Sequence, residues 1–200
     1  GSAVENFVSG VELTHQYVSP GTYIAEITGS LTDITQFIAD NNRITNITGL
    51  KTGLLNQFKV HDNLLIGALD MTNAPVSGIF YSYLNSGLTG INFATSGNGT
   101  LSDFKSQVCG LTSLDFSNVP VSGVLHVYSN TGLTGITFAT SGNGTLTDFE
   151  AYSCALTSLD FSNVSVSGVM LTHSNSGLTG ITFATSGNGT LTNFQAYNCN

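Results

Sequence analysis

Residues 109–153 and 154–198 are two copies of one 45-residue unit. The first reads CGLTSLDFSNVPVSGVLHVYSNTGLTGITFATSGNGTLTDFEAYS, the second CALTSLDFSNVSVSGVMLTHSNSGLTGITFATSGNGTLTNFQAYN. A third, more divergent copy starts near Asn63 and carries LDMTNAPVSGIFYSYLNSGLTGINFATSGNGTLSDF. A fixed period constrains a fold more than local propensity does. Each repeat is one supersecondary unit, and it buries its apolar side only by stacking on its neighbours. The period therefore predicts a solenoid.

Each unit contains two related turns. One carries Leu146-x-x-Phe149-x-Ala151-x-x-Cys154-x-Leu156, the other Leu125-x-Val127-x-x-Asn130 with Leu133 one place late. Ile34-x-x-Phe37-x-Ala39-x-x-Asn42-x-Ile44 and Leu55-x-x-Phe58-x-Val60-x-x-Asn63-x-Leu65 fit the same template. Its ninth position falls at Asn42, Asn63, Asn85, Cys109, Asn130, Cys154, Asn175 and Cys199, with spacings of 21, 22, 24, 21, 24, 21 and 24. From about residue 30 onward the chain resembles the leucine-rich repeat, L-x-x-L-x-L-x-x-N/C-x-L. The resemblance implies short parallel strands on a concave face. The alternating apolar residues independently describe strands with one buried side, spaced about 4.8 Å apart. Phe37, Phe58, Phe104, Phe149 and Phe194 are expected to stack in the core. The ninth-position Asn or Cys is expected to face inward and satisfy backbone groups of adjacent turns.

On the other side of each turn, LTSLDFSN and LTGITFATSGNGT show no helical period. The expected fold is thus a β-rich leucine-rich-repeat solenoid, with extended, turn or 3-10 structure on the convex face and little or no α-helix. The Ser-Gly-Asn-Gly stretches read as tight turns. About eight turns span residues 31–200. The chain stops at Asn200 within a repeat, which reads as a longer array cut short. Residues 1–30, with Val18-Ser19-Pro20-Gly21 between β-rich runs, read as an N-terminal β-hairpin cap. That stretch resembles the last strands of a PKD-like domain, or the β cap before some bacterial leucine-rich repeats.

Composition narrows function. Only 8% of residues are charged and the net charge is −8. Arg43, Lys51, Lys59 and Lys105 are the only basic residues outside the histidines, and they are scattered. A phosphate backbone is held by clustered Lys and Arg, so nucleic acid is excluded as a partner. No apolar run approaches the ~20 residues that span a bilayer, which argues against direct membrane insertion.

Residues with chemical potential have plainer readings. Cys109, Cys154 and Cys199 lie two turns apart, about 10 Å at the strand spacing, too far for a disulfide. They are expected to be reduced and buried. Asp70, Asp115 and Asp160 recur in L-D-[MF]-[TS]-N. A calcium row and a set of backbone-bonding carboxylates are the two readings, and the second fits better because two turns separate successive Asp. Asn46, Asn98, Asn143, Asn163 and Asn188 lie in N-x-S/T triplets that arise by chance in such a composition. His15, His61, His126 and His173 have no fixed Ser or Cys companion, so no enzyme, metal or cofactor is expected.

The strand positions that point out of the core have a different composition. Positions five, seven and eight hold five of the seven Tyr and three of the four His. Tyr offers large contact area at little rotamer cost. The expected ligand-binding residues are Lys59, His61, Tyr81, Tyr83, Lys105, Gln107, His126, Tyr128, Glu150, Tyr152, Leu171, His173, Gln195 and Tyr197. The two closest copies differ at ten of 45 positions, and four of those ten are among the six outward ones. The pattern resembles the variable receptors built on leucine-rich repeats. It implies a secreted or surface-displayed bacterial module that binds a protein or glycan on another cell or surface. The alternative is a structural or self-assembling stalk. An ice-binding solenoid is disfavoured because LTSLDFSN interrupts the Thr-rich rows at every second turn.

Overall fold

The structure, a computed structural model, describes residues 31–199. The predicted cap over 1–30 and Asn200 lie outside the described residues. Alternating apolar residues become strands, and no helix forms among the described residues. In chain order the strands are β1 (Gln36–Ile38), β2 (Leu55–Lys59), β3 (Ile66–Met71), β4 (Val76–Tyr81), β5 (Gly87–Phe93), β6 (Leu101–Lys105) and β7 (Leu114–Phe116). They continue with β8 (Val121–His126), β9 (Ile136–Phe138), β10 (Thr145–Glu150), β11 (Ser158–Phe161), β12 (Ser165–Leu171), β13 (Gly180–Phe183) and β14 (Leu191–Gln195).

Eight of them form one parallel sheet in the order β1-β2-β4-β6-β8-β10-β12-β14. Eight strands bound seven full turns of a β-solenoid. On the opposite side β3-β5, β7-β9 and β11-β13 pair in parallel, so that side is extended, as predicted, but broken into three short ribbons. Between the two walls lies a single hydrophobic core.

The register places Phe37, Phe58, Phe80, Phe104, Leu125, Phe149, Met170 and Phe194 in one row. The first four rings stack with centroids 5.4, 5.0 and 5.3 Å apart. Phe58, Phe104 and Phe149 are fully buried, as expected. Phe37 is half-buried. Phe194 departs from expectation at 49% exposed, because it lies on the last described strand, with a neighbour on one side only.

One backbone device explains how a strand pointing residue seven outward still sends residue nine inward. Residue eight adopts the left-handed conformation in every turn: Asn41, Asp62, Leu84, Val108, Ser129, Ser153, Ser174 and Asn198 have φ between 54 and 58°. Its N–H still bonds the next turn, as in Val108 N to Tyr128 O at 3.0 Å. A single residue thus ends the strand, turns the corner and resets the alternation. Simple alternation had assigned position eight to the flat face; it sits at the corner instead.

Strands β4, β8 and β12 carry an extra residue in V-S-G-[VI]. The insertion is a bulge at Gly78, Gly123 and Gly168, with φ of 63, 65 and 66°. A Cβ there would lie 2.6, 2.4 and 2.3 Å from the carbonyl oxygens of Asn56, Ser102 and Thr147. Both the torsion and the close approach demand glycine.

The ladder forms, and its Asn/Cys alternation has a cause. Asn130 Nδ2 donates to Ser106 O and Val127 O at 2.9 and 2.8 Å, while Oδ1 accepts from Leu111 N at 3.1 Å. Asn63, Asn85 and Asn175 repeat the pattern. The accepted N–H belongs to an Ile or Leu two residues past the preceding ladder position. At Asn85, Asn130 and Asn175 the corner has one more residue, Asn-[ST]-Gly-Leu. The leucine N–H then bonds its own turn's Asn carbonyl, at 2.9, 2.9 and 3.0 Å for Leu88, Leu133 and Leu178. The next turn needs no acceptor, and it holds Cys. Each Sγ donates as the amide would, Cys109 to Ser82 O at 3.2 Å and Cys154 to Val127 O at 3.4 Å. All three thiols are free; Cys109 and Cys154 are buried, and Cys199 is half-buried.

On the opposite side Asp70, Asp115 and Asp160 accept from the backbone N–H two residues on, at 2.9–3.0 Å. This is the backbone-bonding reading. A second Asn series was not foreseen. Asn98, Asn143 and Asn188 accept from Val76, Val121 and Val166 N at 3.0–3.1 Å. They donate to Ala94, Ala139 and Ala184 O at 2.6 Å. These residues, inside N-x-S/T triplets, are clamps between turns.

Candidate functional site

The outward side of the eight-stranded sheet carries three rows of side chains. The middle row runs Ile38, Lys59, Tyr81, Lys105, His126, Glu150, Leu171, Gln195, directly paired strand to strand. A second row, two residues later, holds Asp40, His61, Tyr83, Gln107, Tyr128, Tyr152, His173 and Tyr197. The structure therefore brings all fourteen predicted residues onto one surface. Most are half-buried by their neighbours, whereas Tyr197 is 55% exposed at the end of the row.

The third row was missed. Gln36, Gln57, Ile79, Asp103, Val124, Asp148, Val169 and Asn193 also face outward, two residues before the middle row. Ile79, Val124 and Val169 follow the bulge glycines and look like core residues in the sequence. The signal was available at Asp103, Asp148 and Asn193, whose polarity fits no buried position. Over these three rows the two near-identical copies differ at four of six positions, namely His126/Leu171, Tyr128/His173, Asp148/Asn193 and Glu150/Gln195. They differ at six of the other 39.

Stacking at the strand spacing turns the second row into a ring ladder. Tyr128 lies on Tyr152, Tyr152 on His173 and His173 on Tyr197, with centroids 4.5, 4.7 and 4.5 Å apart and planes within 5, 14 and 3°. His61 and Tyr83 stack at 4.3 Å. Gln107 separates the two groups. Inner ring faces are covered by one another, so away from its ends the ladder offers ring edges, hydroxyls and imidazole nitrogens to a ligand. Burial within the row pushes the Tyr83 and Tyr152 hydroxyls above their ordinary pKa. They remain neutral donors across the physiological range.

The charges are local. Lys59 and Lys105 approach the Tyr81 ring at 5.4 and 5.0 Å, within cation–π range. The Tyr81 hydroxyl donates to Asp103, which also meets the Lys105 ammonium at 3.3 Å. Burial and then that carboxylate push the Tyr81 pKa up. One repeat later, His126 Nε2 stands 3.0 Å from Asp148 Oδ2, with Glu150 beside them. Burial raises the Glu150 pKa and Asp148 adds to the rise, while His126 opposes it. The first repeats thus set two ammonium groups and two carboxylates among aromatic rings, the next is acidic, the last neutral.

No protein-family model matches the chain, and neither a curated protein nor a solved structure is similar to it.

Proposed function

We propose that this chain is a leucine-rich-repeat-type recognition module, non-enzymatic, secreted or displayed at a bacterial surface, that binds a protein or glycan through the outward face of its main sheet. The observation that carries the reading is the concentration of aromatic, ionisable and copy-specific residues on one regular face of a Ser/Thr/Gly/Asn-rich scaffold. A parallel sheet fixes those side chains in rows, so one ligand touches several turns and gains from many pre-ordered contacts. Buried strand positions change at two places, Leu125/Met170 and Val127/Thr172, both of similar volume. The outward rows change, as a specificity determinant would. Since the ladder rings cover one another, recognition runs through hydroxyls, ring edges and the charged middle row rather than through sugar stacking on open ring faces.

The test is a glycan array together with capture from extracts of candidate target-cell surfaces, using the chain and its Tyr128→Ala/Tyr152→Ala variant in parallel. A glycan or protein retained by the first and lost by the second is the expected result. Equal retention by both, or none by either, contradicts the reading and favours a stalk without a specific ligand.

A further inference from the structure

The three repeats place a strand pair of residues at the same spot on the outward face, and the middle one is unbalanced. In β6 the pair is Asp103 and Lys105, joined at 3.3 Å. In β14 it is Asn193 and Gln195, joined by a Gln195 Nε2 to Asn193 Oδ1 hydrogen bond of 3.2 Å. In β10 it is Asp148 and Glu150, two carboxylates side by side on one strand. The residue facing each pair from the preceding strand is Tyr81, Leu171 and His126 respectively. Where the first repeat supplies its own cation and the last carries no charge, the middle repeat presents two carboxylates and one imidazole.

We infer that His126, Asp148 and Glu150 form a binding site for a divalent first-row transition ion such as Zn²⁺. A ligand atom of each lies within 4.8 Å of the other two. His126 Nε2 and Asp148 Oδ1 are both shielded from solvent and make no hydrogen bond. Nε2 approaches Asp148 Oδ2 at 3.0 Å, an ion pair only when the imidazole is protonated, and Asp148 Oδ1 stays without a partner. With the imidazole neutral, its nitrogen lone pair and the carboxylate oxygens converge within reach of one bridging cation. The nearest ammonium on the face, Lys105, is drawn the other way, onto Asp103 and the Tyr81 ring. One imidazole with two carboxylates suits a borderline ion better than Ca²⁺ or Mg²⁺, which prefer oxygen donors throughout. Tetrahedral bonds of 2.0–2.2 Å set ligand atoms about 3.4 Å apart, so side-chain rotations on the order of 1 Å close the site. Three protein ligands leave a fourth position open on the outward face, where a ligand carboxylate or hydroxyl could complete the shell.

The test is calorimetric titration of chelator-treated protein with ZnCl₂, repeated with CaCl₂. One equivalent of Zn²⁺ is expected to bind, with Ca²⁺ at least tenfold weaker. Glu150→Gln and His126→Leu, which install the residues of the following repeat, are each expected to weaken Zn²⁺ binding at least tenfold without lowering the melting temperature of the metal-free protein. Cys199→Ser, which removes the most accessible described thiol, is expected to leave binding unchanged. Installing the set in the last repeat, with Leu171→His, Asn193→Asp and Gln195→Glu together, is expected to add a second equivalent. Binding that survives both Glu150→Gln and His126→Leu, or that disappears with Cys199→Ser, overturns the assignment. So does the absence of any heat and any melting shift at a tenfold excess of Zn²⁺.

Discussion

Asn130 is wholly buried and bridges two turns. Replacing it with Ala removes the acceptor of Leu111 N–H and the side-chain donor to Ser106 O. Val127 O loses the amide too but keeps the Cys154 thiol at 3.4 Å. A buried group left without a partner costs about 1–3 kcal/mol. Two such groups predict a loss of about 2–6 kcal/mol for Asn130→Ala. Asn130→Cys restores a donor toward Ser106 O, in the way Cys109 reaches Ser82 O, and leaves only Leu111 N–H stranded. Its predicted loss is about half as large. The reciprocal change, Cys154→Asn, gains nothing, because the leucine facing it, Leu133, already donates to Asn130 O at 2.9 Å. Urea denaturation of the three variants followed by circular dichroism separates these outcomes. A neutral Asn130→Cys combined with a stabilising Cys154→Asn would refute the account of the alternation.

Three further outcomes follow from single sites. Val108 is β-branched, 40% exposed and held at φ 56°, a conformation costing an L-residue roughly 1–2 kcal/mol that Asn tolerates better. Val108→Asn should therefore raise stability by about 1 kcal/mol in the same urea assay, and a loss would remove the strain argument. Glu150 has a raised folded-state pKa, so the folded chain binds more protons than the unfolded one between the two values. Its contribution is present at low pH and lost as pH rises through that window; in metal-free protein Glu150→Gln should flatten the decline in melting temperature as pH rises above 4.5, Glu's ordinary value. Burial pushes the Cys109 thiol up and the Cys154 thiol up to about 11, so a thiol reagent at neutral pH should label Cys199 first; rapid equal labelling of all three would contradict the ladder geometry.

Much of this architecture was readable in the chain. The ninth-position spacing located all eight main-sheet strands, and the 21- and 24-residue intervals already encoded the two corner types, compact before Asn and longer before Cys. Leu133, one place late in the template, is the visible trace of the longer corner. Two things were hidden. Left-handed torsions at position eight fall on Asp, Ser and Asn but also on Leu84 and Val108, so residue type does not announce them. The outward row at Asp148 was obscured because the bulge glycine shifts β8 and β12 against their neighbours between Leu146 and Asp148. Counting back four and six residues from each ladder position would have aligned His126 with Glu150 and set Asp148 beside them.

The central claim, that the outward sheet face binds a ligand, is tested most directly by affinity measurements on the target found by array or capture. The chain is compared with Tyr128→Ala/Tyr152→Ala and with Thr137→Ala/Thr182→Ala, the latter pair exposed on the opposite ribbons β9 and β13. Loss of two central aromatic contacts should cost at least about 2 kcal/mol, or roughly a 30-fold rise in Kd, while the threonine variant binds as the parent does. Unchanged affinity in the tyrosine variant, with binding abolished by the threonine changes, would contradict the claim and move the site to the other side of the solenoid.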